Sequence, residues 1–110
     1  MIRILVADDH SVVRQGIKQI IADEPDMTIV GEAGTGREAL ELMRSGSFDL
    51  IILDISMPGQ GGLDILRELK AEAPALKVII LSMHPEEQYA VRSFCHGASA
   101  YFTKGSPAKS

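Results

Sequence analysis

Phe48-Asp49-Leu50-Ile51-Ile52-Leu53-Asp54-Ile55-Ser56-Met57-Pro58 is the stretch that decides the fold. Residues 50–53 are an unbroken apolar run rich in β-branched side chains, the pattern of a strand buried on both faces of a parallel sheet. The run closes on Asp54, and Met57-Pro58-Gly59 turns the chain into a loop directly afterwards. A carboxylate is thereby delivered to the carboxyl edge of the sheet, where ligands of open α/β sheets bind. Asp also starts turns by bonding its own backbone, so this strand alone leaves a site and a simple turn as equal readings.

The flanking sequence separates them. Residues 2–7 form another strand with almost no polar break, and it too runs into acid, Asp8-Asp9. Residues 11–24 set Val13, Ile17, Ile20 and Ile21 at helical spacing, with Arg14 and Lys18 on the surface and Pro25 as the stop. A short strand follows at 27–30, and Thr35-Gly36-Arg37-Glu38 has the form of a capping box that opens a helix ending near Gly46. Beyond the central strand, residues 63–72 carry Leu66, Leu69 and Ala73 on one helical face, and residues 76–81 form a third apolar run closing on Ser82. A fourth helix is expected at 86–96 with Gly97 as its stop, and a last strand at 98–103 before Lys104. Strict alternation of strand and helix with short connections predicts one α/β domain over residues 1–110, with a parallel sheet and right-handed crossovers. Ser106-Pro107 reads as the start of a fifth helix, and with Ser110 as the last residue that helix is expected to be truncated or missing.

Composition narrows the function. With 45% hydrophobic and 24% charged residues in 110, the chain is a single globular domain. A net charge of -4 argues against this chain gripping a nucleic-acid backbone, which takes clustered Lys and Arg. Cys95 is the sole cysteine, so no internal disulfide forms. No apolar run reaches bilayer-spanning length, and the first residues lead straight into a strand; a cytoplasmic location is the expectation.

Because parallel strands end on one edge, Asp8, Asp9, Asp54, Ser82 and Lys104 are expected to meet there. Three converging carboxylates repel one another, and a divalent ion resolves the conflict. Mg²⁺, which takes oxygen ligands and binds one or two carboxylates together with a phosphate oxygen, fits better than zinc. Lys104 adds a compact positive charge and Ser82 a hydroxyl, both suited to a phosphoryl group.

In these residues the whole chain resembles a response-regulator receiver domain of two-component signalling. The acidic pair, the Asp54-x-x-Met57-Pro58-x-x-x-Gly62 motif, Ser82, Tyr101 and Lys104 stand in the family's order. The resemblance implies a CheY-like, flavodoxin-like fold, a doubly wound five-stranded parallel sheet of strand order 2-1-3-4-5. It also implies that Asp54 accepts a phosphoryl group from a sensor histidine kinase in a Mg²⁺-dependent step, without the domain being an enzyme in the ordinary sense. Asp8, Asp9, Asp54 and the backbone carbonyl of Ser56 would hold the ion; Ser82 and Lys104 would bind the phosphoryl oxygens; Ser82 and Tyr101 would form the switch. His10, Val30-Gly31-Glu32-Ala33 and Thr103-Lys104-Gly105-Ser106 resemble the NarL/FixJ (LuxR-type) branch. That branch implies a homodimer on activation and transcription regulation, with DNA contacted only through a helix-turn-helix domain beyond this chain's end and no role for a membrane.

Gly105 stands where the family commonly has Pro, and Met83 where a small residue is frequent. Two rival chemistries are weaker. Gly34-x-Gly36-x-x-Ala39 imitates a dinucleotide fingerprint, but the first βα turn, where that fingerprint belongs, carries Asp8-Asp9 instead. A phosphatase of the haloacid-dehalogenase type wants an acid two residues after its nucleophile, where Ser56 stands. A stand-alone receiver acting through protein contacts is the alternative to a transcription regulator.

Overall fold

The computed structural model describes residues 1–54, 62–82 and 100–103 of the chain, with Ser82 and residues 100–103 described by backbone alone. In order, the elements are β1 (Ile2–Ala7), α1 (Ser11–Ala22), β2 (Met27–Ala33), α2 (Gly36–Ser45), β3 (Leu50–Asp54), α3 (Gly62–Glu72), β4 (Lys77–Ser82) and β5 (Ala100–Thr103). All neighbouring strands are parallel, in the order β2-β1-β3-β4-β5. The expected doubly wound sheet is therefore present. The helices expected at 86–96 and from Ser106 lie outside the described residues.

Both faces of the central strands are covered, which is why their sequences lack polar alternation. Leu5, Ala7, Ile51, Leu53, Val78 and Ile80 join Ala39 and Leu40 of α2 and Ile65, Leu66 and Leu69 of α3 in one core. Ile4, Val6 and Ile52 face the other way and meet Ile17 and Ile21 of α1. Ile20, counted with them in the sequence, is 68% exposed. Ile17 and Ile21, four residues apart, hold the contact, and Ile20 is turned about 100° from Ile21, past its edge. The helix stops at Ala22, two residues earlier than expected, where the backbone N–H groups of Asp23 and Glu24 donate to the carbonyls of Ile20 and Ile21 at 3.4 and 2.9 Å.

Strand β2 departs most from expectation, running to Ala33 instead of ending at Val30. Its pairing with β1 goes from Ile4↔Ile29 directly to Leu5↔Gly31, so Val30 is an extra, bulged residue. Gly31 suits the close approach that follows. A Cβ there would sit 3.1 Å from Leu5 Cδ1 and 3.3 Å from the Phe48 ring.

The capping box forms as expected. Thr35 Oγ1 accepts the Glu38 backbone N–H at 3.1 Å, and Glu38 Oε1 accepts the Gly34 N–H at 3.1 Å. The loop amide that a dinucleotide phosphate would use is thus engaged by the chain's own carboxylate, which removes the nucleotide reading. Gly36 has a packing role instead, since a Cβ on it would lie 2.6 and 2.7 Å from Ile65 Cγ1 and Cδ1. Ile65 is buried and β-branched, so it yields only with strain in its surroundings. Gly36→Ala is expected to destabilise the fold by about 1–3 kcal/mol, the usual cost of overpacking. A lower urea midpoint at unchanged slope would register this; an unchanged midpoint would mean that Ile65 has room to move.

Candidate functional site

Strand register builds the site. Ala7 pairs with Leu53, so Asp8 and Asp54, each one residue further on, stand level at the carboxyl edge. The Asp8 N–H donates to the Ala33 carbonyl at 2.9 Å, anchoring that position to β2. On the other side Asp54 pairs with Leu81, and Ser82, the next residue, pairs with Thr103, the residue before Lys104. Tyr101 pairs with Ile80 on the same two strands. The backbone thereby brings Ser82 to the same edge; Ser56 and Lys104 lie outside the described residues.

Asp8 and Asp54 are wholly buried, whereas the side chain of Asp9 is 31% exposed. One ligand atom each from Asp8, Asp9, His10 and Asp54 falls within 4.8 Å of the others. At an effective dielectric of about 20, each ionised carboxylate pair at such a separation repels by roughly 4 kcal/mol. The same oxygens suit a hard divalent cation, which offsets that repulsion. His10 was not placed at the site by sequence reasoning. Its backbone N–H donates to Asp8 Oδ1 at 2.8 Å, and its Nδ1 lies 3.0 Å from Asp8 Oδ1 and 3.2 Å from Asp9 Oδ1. The first of these is the local Asp turn by which the chain leaves β1 and enters α1.

Arg14 was also missed. Assigned to the helix surface in the sequence, it donates from a terminal guanidinium nitrogen to the Asp8 backbone carbonyl at 2.5 Å and from Nε to Glu32 Oε1 at 3.2 Å. Lys18 Nζ donates to the other Glu32 oxygen at 2.9 Å. The Lys18 hydrogen bond, with a smaller contribution from Arg14, holds the Glu32 carboxyl below its usual range against the opposing effect of burial. A carboxyl lowered in the folded state stabilises above its unfolded value and loses that contribution as pH falls through its folded value. Glu32→Gln should therefore destabilise at pH 7 by less than about 1 kcal/mol, because the group is partly exposed. The difference should shrink as pH drops below the ordinary value of 4.5. Urea midpoints of the two proteins across that range provide the check, and a gap that widens in acid would contradict the assignment.

A family model described as the response regulator receiver domain matches residues 4–110. The chain belongs to that family. It is 39% identical over 105 residues to the response regulator GacA of Pseudomonas aeruginosa, covering 96% of this chain and 49% of the relative. It is 40% identical over 101 residues to the nitrate/nitrite response regulator protein NarL of Escherichia coli, covering 92% of this chain and 47% of the relative. The crystal structure of a LuxR-family two-component response regulator from an Aurantimonas species superposes with a TM-score of 0.88 at 36% identity, over 94% of this chain and 74% of that one. The chain spans about half the length of the curated relatives it matches. These matches bear out the receiver domain and its NarL/FixJ branch, and they leave no place for the phosphatase reading. Among the described residues, no helix is long and apolar enough to cross a membrane.

The acid cluster yields a direct expectation for metal binding. Titration with Mg²⁺, followed through the amide NMR shifts of residues 8, 9 and 54, should report one site in the wild-type protein. Asp9→Ala should weaken it by about tenfold or more, and undiminished affinity would place the ion elsewhere.

Proposed function

We propose that this receiver domain is switched by phosphorylation of Asp54. The observation that carries the reading is a buried carboxylate at the end of β3, grouped with Asp8 and Asp9 on the edge that Ser82 also reaches. A sensor histidine kinase is the phosphoryl donor. An Asp54 oxygen attacks the phosphorus in line, the P–N bond to the donor imidazole breaks, and the imidazole leaves with the bonding pair. Catalysis of such a transfer consists mainly of positioning and charge neutralisation. The backbone of β3 supplies the positioning, since that strand lies between β1 and β4 and Asp54 itself pairs with Leu81.

The three carboxylates of the cluster fit Mg²⁺, and Asp8, Asp9, Asp54 and the Ser56 carbonyl would hold it. When bound, the ion offsets negative charge on the carboxylates and the incoming phosphoryl group. Lys104 and Ser82 take the phosphoryl oxygens, and movement of Ser82 opens space into which Tyr101 turns. The same residues serve the domain's own dephosphorylation. A new local charge thus biases a two-state packing arrangement. The output is transcription regulation by a homodimer formed on activation, through a DNA-binding helix-turn-helix domain beyond residue 110; the half-length match to the curated relatives supports a further domain. A cytoplasmic location follows from that role.

Incubation with acetyl phosphate and Mg²⁺ is expected to add one phosphoryl mass to the wild type and none to Asp54→Asn. Full labelling of Asp54→Asn would move the acceptor to another residue.

A further inference from the structure

The stretch Val30-Gly31-Glu32-Ala33 marks the branch in the sequence, and the structure shows what it does locally. Residues that pair across parallel strands share a face, so parity fixes where each side chain goes. Without the bulge at Val30, continued pairing from Ile4↔Ile29 would set Gly31 opposite Val6 and Glu32 opposite Ala7. Ala7 belongs to the core beneath α2 and α3, a site hostile to a carboxylate. The bulge shifts the register by one, so Glu32 pairs with Val6 and Ala33 with Ala7. Ala33, small and apolar, takes the core position, and Glu32 comes to the α1 face. There it meets Arg14 and Lys18.

We propose that Arg14, held by Glu32, is a positioning residue for the acid cluster: it fixes the Asp8 backbone and thereby sets the affinity of the cluster for a divalent cation. Asp8 is gripped at both backbone groups, its N–H by the Ala33 carbonyl and its carbonyl by Arg14. Both holds originate on β2, one directly and one through Glu32. The peptide following Asp8 leads into Asp9 and His10, so the orientation of its carbonyl also sets the direction in which the acidic pair leaves β1. Arg suits this place because its planar fork binds two acceptors at once, the Asp8 carbonyl and the Glu32 carboxylate. Lys18 shares Glu32 but bonds no part of Asp8 among the contacts described, and it serves as the internal comparison.

The sign of the effect separates positioning from simple charge. Arg14→Gln removes a positive charge near three carboxylates, so Coulomb's law alone tightens cation binding. Positioning predicts the reverse, a loss of about tenfold, on the scale of losses seen when supporting contacts of metal ligands are removed. The inference rests on the reading of the acid cluster as the metal site, and Asp9→Ala tests that reading separately. The experiment is Mg²⁺ titration of the intact protein, followed by amide NMR shifts well below the melting temperature, for wild type, Arg14→Gln, Arg14→Lys, Glu32→Gln, Lys18→Met and Asp9→Ala. Arg14→Gln and Glu32→Gln should bind more weakly and shift the Asp8 and Asp9 amides before any metal is added. Arg14→Lys should recover part of the affinity, and Lys18→Met should bind as the wild type does or more tightly. The double variant of Arg14→Gln and Glu32→Gln should lose no more than Arg14→Gln alone. Unchanged or tighter binding in Arg14→Gln overturns the inference, as does a loss in Lys18→Met equal to that in Arg14→Gln. If instead Asp9→Ala binds like the wild type, the metal reading itself fails.

Discussion

Two carboxylates held wholly out of solvent at the edge of a parallel sheet are the constraint around which this domain is arranged. Asp8 and Asp54 are level because β1 and β3 pair Ala7 with Leu53, and they are buried because those strands are covered on both faces. Burying an ionised carboxylate is costly unless hydrogen bonds or a cation compensate. The surrounding structure supplies part of that compensation through the turn into α1, where the His10 backbone N–H reaches Asp8 Oδ1. Closeness of like charge is the usual mark of a functional site rather than of a stable core. Here it leaves carboxylate oxygens grouped in a way that suits a divalent cation.

The two faces of the sheet serve that edge differently. The face with α2 and α3 is a dense aliphatic core, reinforced by the close passage of Gly36 over Ile65 and by the Arg44–Glu72 pair at 2.6 and 2.7 Å. That ion pair is exposed and contributes little by itself. On the other face, α1 has no fully buried residue, and among the described residues it meets the sheet through Ile17 and Ile21 and β2 through Lys18 and Arg14 on Glu32. The β1–α1 turn that carries Asp8, Asp9 and His10 joins the buried strand to this helix.

Much of this was legible in the sequence because the relevant signals are local. Apolar runs ending in acid marked β1 and β3, and Thr35 with Glu38 marked the start of α2. Alternation of strand and helix then gave parallel pairing and placed Asp8, Asp9 and Asp54 on one edge. Motif order along the chain carried the family, which the matches with response regulators bear out. Ile20 was misplaced because helical spacing defines a stripe but not the width that the opposing sheet covers.

What only the tertiary structure decided depends on register and on contacts between residues far apart in sequence. The bulge at Val30 leaves no signature beyond a glycine in an edge strand, yet it inverts the faces of Glu32 and Ala33. Arg14 looked like one more charge on an amphipathic helix, and its two bonds, to a carbonyl six residues back and to a carboxylate eighteen residues ahead, exist only once α1 lies against β2. His10 likewise meets Asp8 and Asp9 through a turn whose geometry no residue pattern specifies. The sequence determined which chemical groups arrive at the edge, because that follows from strand ends and chain order. How those groups are held was set by side-chain reach across elements, a property of three-dimensional packing alone.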